Sequence, residues 1–304
     1  MRTEYSSSVQ ENHRRNFGAR ISDLRTQYWP LIKSLQTGLL MTTGIAGYMS
    51  ARCPVIYWST LLGLAGSLFL AISGSTMLNM WYDQDIDAKM KRTCNRPLSA
   101  GKVSPQRVLR LGLAMSLAGV LWAMSLSPLY ALVVFAGWFF DVLVYTIWLK
   151  RRTAWSIVWG GIAGAMPVLA GRVMGSGQID WIGLALGLAV LFWIPTHILT
   201  FNMRYFEDYQ SAGLPTFPKR YGFPATRLAI SVASVLAGLA MSAAAIGLGL
   251  TQGSLQLLGL LSGGLLALAV YCLLRPSERA NFTLFKYASL YMMFSMLLIA
   301  LTAI

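Results

Sequence analysis

The sequence predicts an all-helical integral membrane protein, and its composition supplies the main evidence. Of its 304 residues, 56% are hydrophobic and only 12% are charged, whereas a typical soluble chain is about one-quarter charged. Only 11 residues are acidic, too few to help cover a globule of this size with polar surface. The apolar runs lack the alternating pattern of an outer-membrane barrel strand. A water-soluble globule and a β-barrel are therefore both disfavoured.

Nine apolar stretches approach the length of a membrane-spanning helix, since about 20 helical residues cross roughly 30 Å of hydrocarbon. They are 34–50, 55–78, 107–125, 129–149, 155–174, 181–203, 225–249, 254–274 and 283–304. Residues 1–33 are polar and charged and do not have the pattern of a signal peptide, so we predict a solvated arm. Residues 34–304 are predicted to form one membrane domain of nine helices.

The basic residues predict the orientation of the chain, because cytoplasmic loops collect Lys and Arg. Apart from Arg52 and Arg172, all of the 25 basic residues fall on one side of the predicted crossings. This places the N-terminus in the cytoplasm and Ile304 outside, in the plasma (inner) membrane. Loops 79–106 and 204–224 then face the same compartment. The net charge of +14 reflects this topology, and we predict no nucleic-acid partner.

The first of these loops combines oxygen ligands with a basic cluster. Asn79, Asp83 and Asp87 recur at every fourth position, on one side of a helix continuing from the second span. Such ligands suit Mg²⁺, which commonly shares its coordination shell with substrate phosphates. Arg92 and Arg96 belong to a basic cluster able to hold diphosphate oxygens. The loop therefore predicts a magnesium and diphosphate site.

Two alternatives apply to this loop. Its Asp-x-Asp-x-Asp spacing resembles a calcium loop, but Ala88 stands where the turn glycine belongs and Cys94 where the bidentate Glu belongs. The other alternative is a solvated loop whose charges only fix the topology. The second loop weakens that alternative, because Glu207 and Asp208 supply further acidic ligands in the same compartment.

These residues resemble the UbiA superfamily of intramembrane prenyltransferases, whose Asn-x3-Asp-x3-Asp element matches Asn79, Asp83 and Asp87. Three further strings resemble the branch that farnesylates protoheme IX: Tyr145-Thr-Ile-Trp-Leu-Lys150, Gly160-Gly-Ile-Ala-Gly-Ala-Met-Pro167 and Asp208-Tyr-Gln-Ser-Ala-Gly-Leu-Pro215. The resemblance implies an all-helical bundle with two acidic cytoplasmic loops. It also implies Mg²⁺-dependent transfer of a farnesyl group from farnesyl diphosphate to a vinyl group of heme B.

Site residues follow from the resemblance together with the residue patterns. The catalytic and metal-binding set is Asn79, Asp83, Asp87 and Asp208. The substrate-binding set is Arg92, Arg96, Tyr145, Lys150, His197, Arg204 and Tyr209. Membrane lipid and heme-handling proteins are the further partners expected.

Three ionisable residues keep alternative roles. Lys150 ends the fourth span and either reaches the diphosphate or anchors that span at the membrane surface. His197 shares a helical stripe with Asp208, and it either contacts heme or makes a structural hydrogen bond. Asp141 lies about 13 Å below the inner boundary, where it hydrogen-bonds a neighbouring helix or has a function.

The acceptor and the class of protein also keep alternatives. The same metal loops would serve a superfamily member that prenylates a quinone precursor, a chlorin or an archaeal lipid. A transporter is a more remote alternative, because transport sites need acids within the spans. Here Asp141 is the only acid inside a predicted span.

Overall fold

The computed structural model describes residues 26–52 and 57–302, and the regular elements in these ranges are helices. Numbered in chain order, they are α1 Ser34–Met49, α2 Trp58–Tyr82, α3 Gln84–Asp87, α4 Pro105–Leu126, α5 Pro128–Phe139, α6 Ser156–Ser176, α7 Trp181–Arg204, α8 Phe206–Ser211, α9 Phe217–Gly247, α10 Gln252–Leu274 and α11 Glu278–Thr302. A 3₁₀ turn, Trp29–Ile32, precedes α1, and a π-helix, Phe140–Leu149, continues α5. The predicted all-helical fold class is confirmed. Most of the predicted arm, 1–25, lies outside the described residues.

Eight helices in the described ranges are long and apolar enough to cross a membrane, with α5 and the π-helix counted as one. The chain is therefore an integral membrane protein. The remaining predicted span, 34–50, forms α1, whose 16 residues are fewer than the roughly 20 that cross a bilayer. Even so, α1 packs tightly in the bundle, since a Cβ added to Gly171 of α6 would lie 1.8 Å from the carbonyl oxygen of Gly44.

Large apolar side chains remain exposed on the outer face of the bundle. Leu117 on α4 is 61% exposed and Leu260 on α10 is 75% exposed. In water such a surface would cause aggregation, but hydrocarbon is the matching environment. The polar atoms that carry chemistry lie instead at the ends of the helices.

The two ends of the bundle differ in their polar contacts. At one end, Arg172 donates hydrogen bonds to Asp180, with a closest nitrogen to oxygen distance of 2.5 Å, and to Ser50. Burial opposes ionisation of Asp180, but these contacts with Arg172 lower its pKa below the ordinary value. At the opposite end, the loops that follow α2 and α7 meet, because the backbone N–H of Arg92 donates to Asp208 at 3.2 Å. The two acidic loops therefore lie together, as their charge pattern predicted.

Candidate active site

The junction of α2 and α3 carries the stripe of Asn79, Asp83 and Asp87. The backbone N–H of Asp83 donates to the Asn79 carbonyl at 3.0 Å, and that of Asp87 donates to the Asp83 carbonyl at 2.8 Å. A single continuing helix was predicted here, but Asp83 has φ −93° and ψ 5° and separates two helices. The stripe survives this break because the four-residue hydrogen-bond spacing is kept. The three side chains are buried, at 9%, 2% and 6% exposure.

Each buried carboxylate has a cationic partner, one from the end of the π-helix and one from the same loop. Lys150 donates to Asp83, and Arg96 donates to Asp87 at 2.6 Å. Burial works to lower the pKa of Lys150, but Tyr145 and Asp83 together hold it above its ordinary value. Lys150 is therefore charged at neutral pH, and it contacts the acidic stripe directly.

The oxygens of this stripe fit a divalent metal. The Oδ1 atom of Asp83 is buried and has no hydrogen-bond partner among the described residues. The amide nitrogen of Asn79 is engaged by Thr146 at 2.8 Å, so its oxygen remains available. Within 26–52 and 57–302, no group of three or more His, Cys, Asp or Glu side chains is arranged to hold a metal. Two carboxylates and an amide suit Mg²⁺ whose remaining ligands come from water and phosphate.

The second acidic loop is more open than the first. Glu207 is exposed and Asp208 is half-buried. Asp208 accepts from the backbone N–H of Arg92 at 3.2 Å, and the hydroxyl of nearby Ser211 donates to the Lys89 carbonyl at 3.4 Å. Nothing in the described structure pairs Asp208 with a cationic side chain. Its carboxylate is therefore near the first loop but less constrained than Asp83.

Arg92 joins the two loops through aromatic rings. Its guanidinium lies 4.9 Å from the ring centre of Phe201, 5.6 Å from that of Tyr205 and 5.9 Å from that of Tyr209. A guanidinium over such rings gains cation–π attraction. Arg92 is nevertheless exposed, so its donors remain accessible to an anion.

Two predicted substrate residues lie apart from the acidic stripe. His197 is stacked between Trp193, at 4.9 Å, and Phe285, at 4.5 Å, and its Nδ1 lies 3.1 Å from the Ser289 hydroxyl. Arg204 lies over the Phe282 ring at 3.8 Å. Neither residue contacts Asp83 or Asp87. Tyr145 does reach the site, because its ring centre is 5.5 Å from the Lys150 ammonium.

Sequence reasoning did not assign three residues that the structure brings close to the stripe. Arg151 donates to Asp85 at 2.7 Å and to the Tyr82 carbonyl at 2.6 Å. Thr146 contacts Asn79. Lys33, at the N-terminus of α1, has a left-handed backbone with φ 43°. The sequence alone does not show that it lies near Arg96 and Asp87, because these residues come from a distant part of the chain.

The ammonium of Lys33 forms no ion pair within the described part of the chain. Burial, together with the charges of Arg96 and Lys150, lowers its pKa to about 8. Asp141 and Asp87 act in the opposite direction but do not outweigh these effects. The stripe therefore has a nearby cation that is not already committed to a carboxylate.

A helical membrane bundle with a buried Asn-Asp-Asp stripe beside several cations has the features of an intramembrane prenyltransferase. Residues 39–297 match the UbiA prenyltransferase family. The chain belongs to this family.

Two relatives indicate which branch of the family this chain resembles. A protoheme IX farnesyltransferase of Rhodopseudomonas palustris is 36% identical over 305 residues, covering 96% of each chain. One of Archaeoglobus fulgidus is 44% identical over 202 residues, covering 66% of this chain and 71% of the relative. Both the family and the branch that the sequence motifs predicted are thereby confirmed.

A solved structure supports the fold. The structure of a UbiA homologue from Archaeoglobus fulgidus bound to GPP and Mg²⁺ aligns with a TM-score of 0.68 at 14% identity. The alignment covers 90% of this chain and 99% of that one. At this identity the likeness establishes the shared helical fold, while the roles of individual residues must be argued from their contacts.

Proposed function

We propose that this chain transfers the farnesyl group of farnesyl diphosphate to a vinyl group of heme B, giving heme O. The observation that carries the proposal is the buried stripe of Asn79, Asp83 and Asp87 with cations already beside it. Near full-length similarity to a protoheme IX farnesyltransferase supports heme B as the acceptor.

The proposed ligands of Mg²⁺ are Asn79, Asp83, Asp87 and, from the second loop, Asp208. Mg²⁺, when bound, would neutralise the charge that builds on the departing diphosphate. Lys150 and Arg96 now neutralise the two buried carboxylates. Once a diphosphate is bound, these two cations would exchange carboxylate oxygens for phosphate oxygens.

The remaining basic residues would bind the outer part of the diphosphate. Arg92 is held over aromatic rings of α7 and of the second loop and projects from the first loop, so it would contact an anion between the two loops. Tyr145 lies beside Lys150 and would shield its ammonium from water. The apolar farnesyl tail would lie among the membrane helices, where exclusion of water protects the allylic cation from hydrolysis.

The chemical step breaks the allylic carbon to oxygen bond and forms a carbon to carbon bond with the vinyl group. Water then adds to the resulting cation and loses a proton, which completes the hydroxyethylfarnesyl substituent. We assign acceptor contact to His197, since its Nδ1 is engaged by Ser289 and its Nε2 remains for the acceptor. Arg204, at the loop end of α7, and Tyr209, in α8, are also proposed to contact substrate.

We also propose the orientation and the cellular setting. The acidic loops face the cytoplasm, the N-terminal arm 1–33 is cytoplasmic, and Ile304 lies outside the plasma membrane. The membrane domain comprises 34–304. In it α1 is the shortest crossing and adds to the eight longer ones. Heme-handling proteins and membrane lipid are the expected neighbours, because heme B is too apolar to reach the site freely through water.

The test is product analysis with purified protein in lipid. Protein supplied with farnesyl diphosphate, Mg²⁺ and heme B should yield a product whose mass equals heme B plus the farnesyl group and one hydroxyl group. Chelator should abolish it. Product from a quinone precursor, a chlorin or an archaeal lipid, with none from heme B, would overturn the choice of acceptor.

A further inference from the structure

A ladder of polar contacts joins α2 to the π-helix beneath the acidic stripe. The Ser75 hydroxyl donates to the Asp141 carboxylate at 2.6 Å, and the Asn79 amide nitrogen donates to the Thr146 hydroxyl at 2.8 Å. Above these two contacts, Lys150 pairs with Asp83. The ladder therefore continues directly into the proposed metal site.

The two sides of the ladder have different spacings. Ser75 and Asn79 are four positions apart on an α-helix, whereas Asp141 and Thr146 are five positions apart. A π-helix closes its hydrogen bonds at five residues, and the Lys150 N–H donates to the Tyr145 carbonyl, five positions back, at 2.8 Å. One turn of the α-helix leads from Ser75 to Asn79, and one turn of the π-helix leads from Asp141 to Thr146, so both cross-helix contacts can form. An α-helical turn would put position 145 where Thr146 now stands.

The contacts of Thr146 fix the orientation of the Asn79 amide. Thr146 is fully buried, and its hydroxyl donates to the Asp141 carbonyl oxygen at 2.7 Å. Its single hydrogen is thus already used, so it offers Asn79 only a lone pair. A lone pair accepts from the amide nitrogen and repels the amide oxygen. The oxygen of Asn79 must therefore point away from Thr146.

We propose that Thr146 is a positioning residue for the metal, and that the π-helix is the feature that brings it to Asn79. This inference rests on the proposed function, in which the Asn79 oxygen is a ligand. Groups behind a ligand commonly fix its orientation, and their loss typically lowers metal affinity by about 10–100-fold. Thr146 is such a group behind Asn79.

A purely structural role makes a different prediction. If Thr146 only packed α2 against the π-helix, its replacement would lower stability whatever residue stood at position 79. If it orients an amide, its replacement matters only while position 79 is an amide. A carboxylate presents oxygen in either orientation, so it needs no such partner.

The experiment measures metal affinity rather than turnover. Mn²⁺ is titrated by electron paramagnetic resonance into protein in lipid, saturated with farnesyl thiodiphosphate, an unreactive analogue. Thr146→Val keeps the shape and removes the hydroxyl, and it should weaken Mn²⁺ binding by about 10–100-fold. Thr146→Ser keeps the hydroxyl and should bind Mn²⁺ nearly as the original protein does. Thermal unfolding checks that each variant is folded.

The decisive comparison repeats Thr146→Val in an Asn79→Asp background. There the substitution should leave Mn²⁺ affinity unchanged, and an equal loss in both backgrounds would overturn the inference. Thr146→Cys, whose thiol is a weak acceptor, carries the same expectations and replaces Thr146→Val if that variant does not fold. Unaltered Mn²⁺ affinity in folded Thr146→Val would also overturn it. Failure of the original protein to bind Mn²⁺ would instead overturn the proposed function itself.

Discussion

The two acidic loops lie together at one end of the bundle but are built differently. In the first, Asp83 and Asp87 are 2% and 6% exposed and pair with Lys150 and Arg96. In the second, Asp208 is half-buried and accepts from a backbone N–H of the first loop. The carboxylates of the first loop are thus paired with cations, whereas Asp208 of the second loop has no cationic side-chain partner among the described residues.

This difference assigns the loops different tasks. Buried carboxylates are stable only when their charge is compensated, so the cations around the first loop preserve the geometry of the proposed metal ligands. The second loop lacks this constraint, so in the proposed function it would be free to adjust to the outer phosphate. Substitutions in the first loop should therefore affect the chemical step, and substitutions in the second should mainly affect ligand affinity.

The largest effect is expected from the first loop. Asp83→Ala or Asp87→Ala should lower kcat on the order of 10²–10⁴-fold, because each removes a ligand to the ion that stabilises the leaving group. Single-turnover assays of heme O formation measure this loss. The stability of Asp83→Ala should fall too, since Lys150 loses its partner. Wild-type kcat in either variant would contradict the assignment of the site.

A smaller effect is expected from the second loop. Asp208→Asn should raise the KM for farnesyl diphosphate about 10–100-fold and change kcat less than Asp83→Ala does. Glu207→Gln is the matched control, because it removes the adjacent, exposed acid and should leave both constants close to wild type. A loss of kcat as large as that of Asp83→Ala would erase the proposed difference between the loops.

A further prediction concerns Lys33, whose ammonium forms no ion pair among the described residues. Its pKa is about 8, so its charge is present below that pH and is lost as pH rises through it. The kcat/KM for farnesyl diphosphate reports on the free enzyme and should decline above about pH 8. Lys33→Arg, which stays charged, should flatten this decline. An identical pH profile in that variant would remove Lys33 from the group of anion-binding cations.

The smallest effect is expected at Asp85, which lies in the first loop but off the stripe. Its side chain is 54% exposed and pairs with Arg151, and the Arg151 hydrogen bond lowers its pKa. Any stability from this pair is present above the ordinary Asp pKa and is lost on acidification. Because exposed pairs contribute little, Asp85→Asn should keep near wild-type kcat and stability at neutral pH. A loss of kcat comparable with that of Asp83→Ala would show that Asp85 belongs to the site and that the assigned stripe is wrong.

The sequence allowed the acidic stripe to be predicted, because its spacing equals one helical turn and needs no knowledge of the fold. It did not reveal the role of Thr146, which lies 67 positions from Asn79 and meets it only through the wide turn of a π-helix. Hydrophobic runs likewise located the spans, and the first, 34–50, matches α1 within one residue. Other helix ends were placed less well, since α9 begins at Phe217 and not at 225, because an apolar run does not mark where a helix begins or ends. Contacts between distant segments are set by packing, which local patterns do not encode.

The most direct test measures how binding of farnesyl thiodiphosphate depends on Mg²⁺. Calorimetric titrations would compare the original protein, Asp83→Asn and Glu207→Gln, each with Mg²⁺ and with chelator. The original protein and Glu207→Gln should bind far more tightly with Mg²⁺, whereas Asp83→Asn should bind weakly under both conditions. Equal affinity of the original protein with Mg²⁺ and with chelator, or full Mg²⁺ dependence in Asp83→Asn, would contradict a metal site built on the first loop.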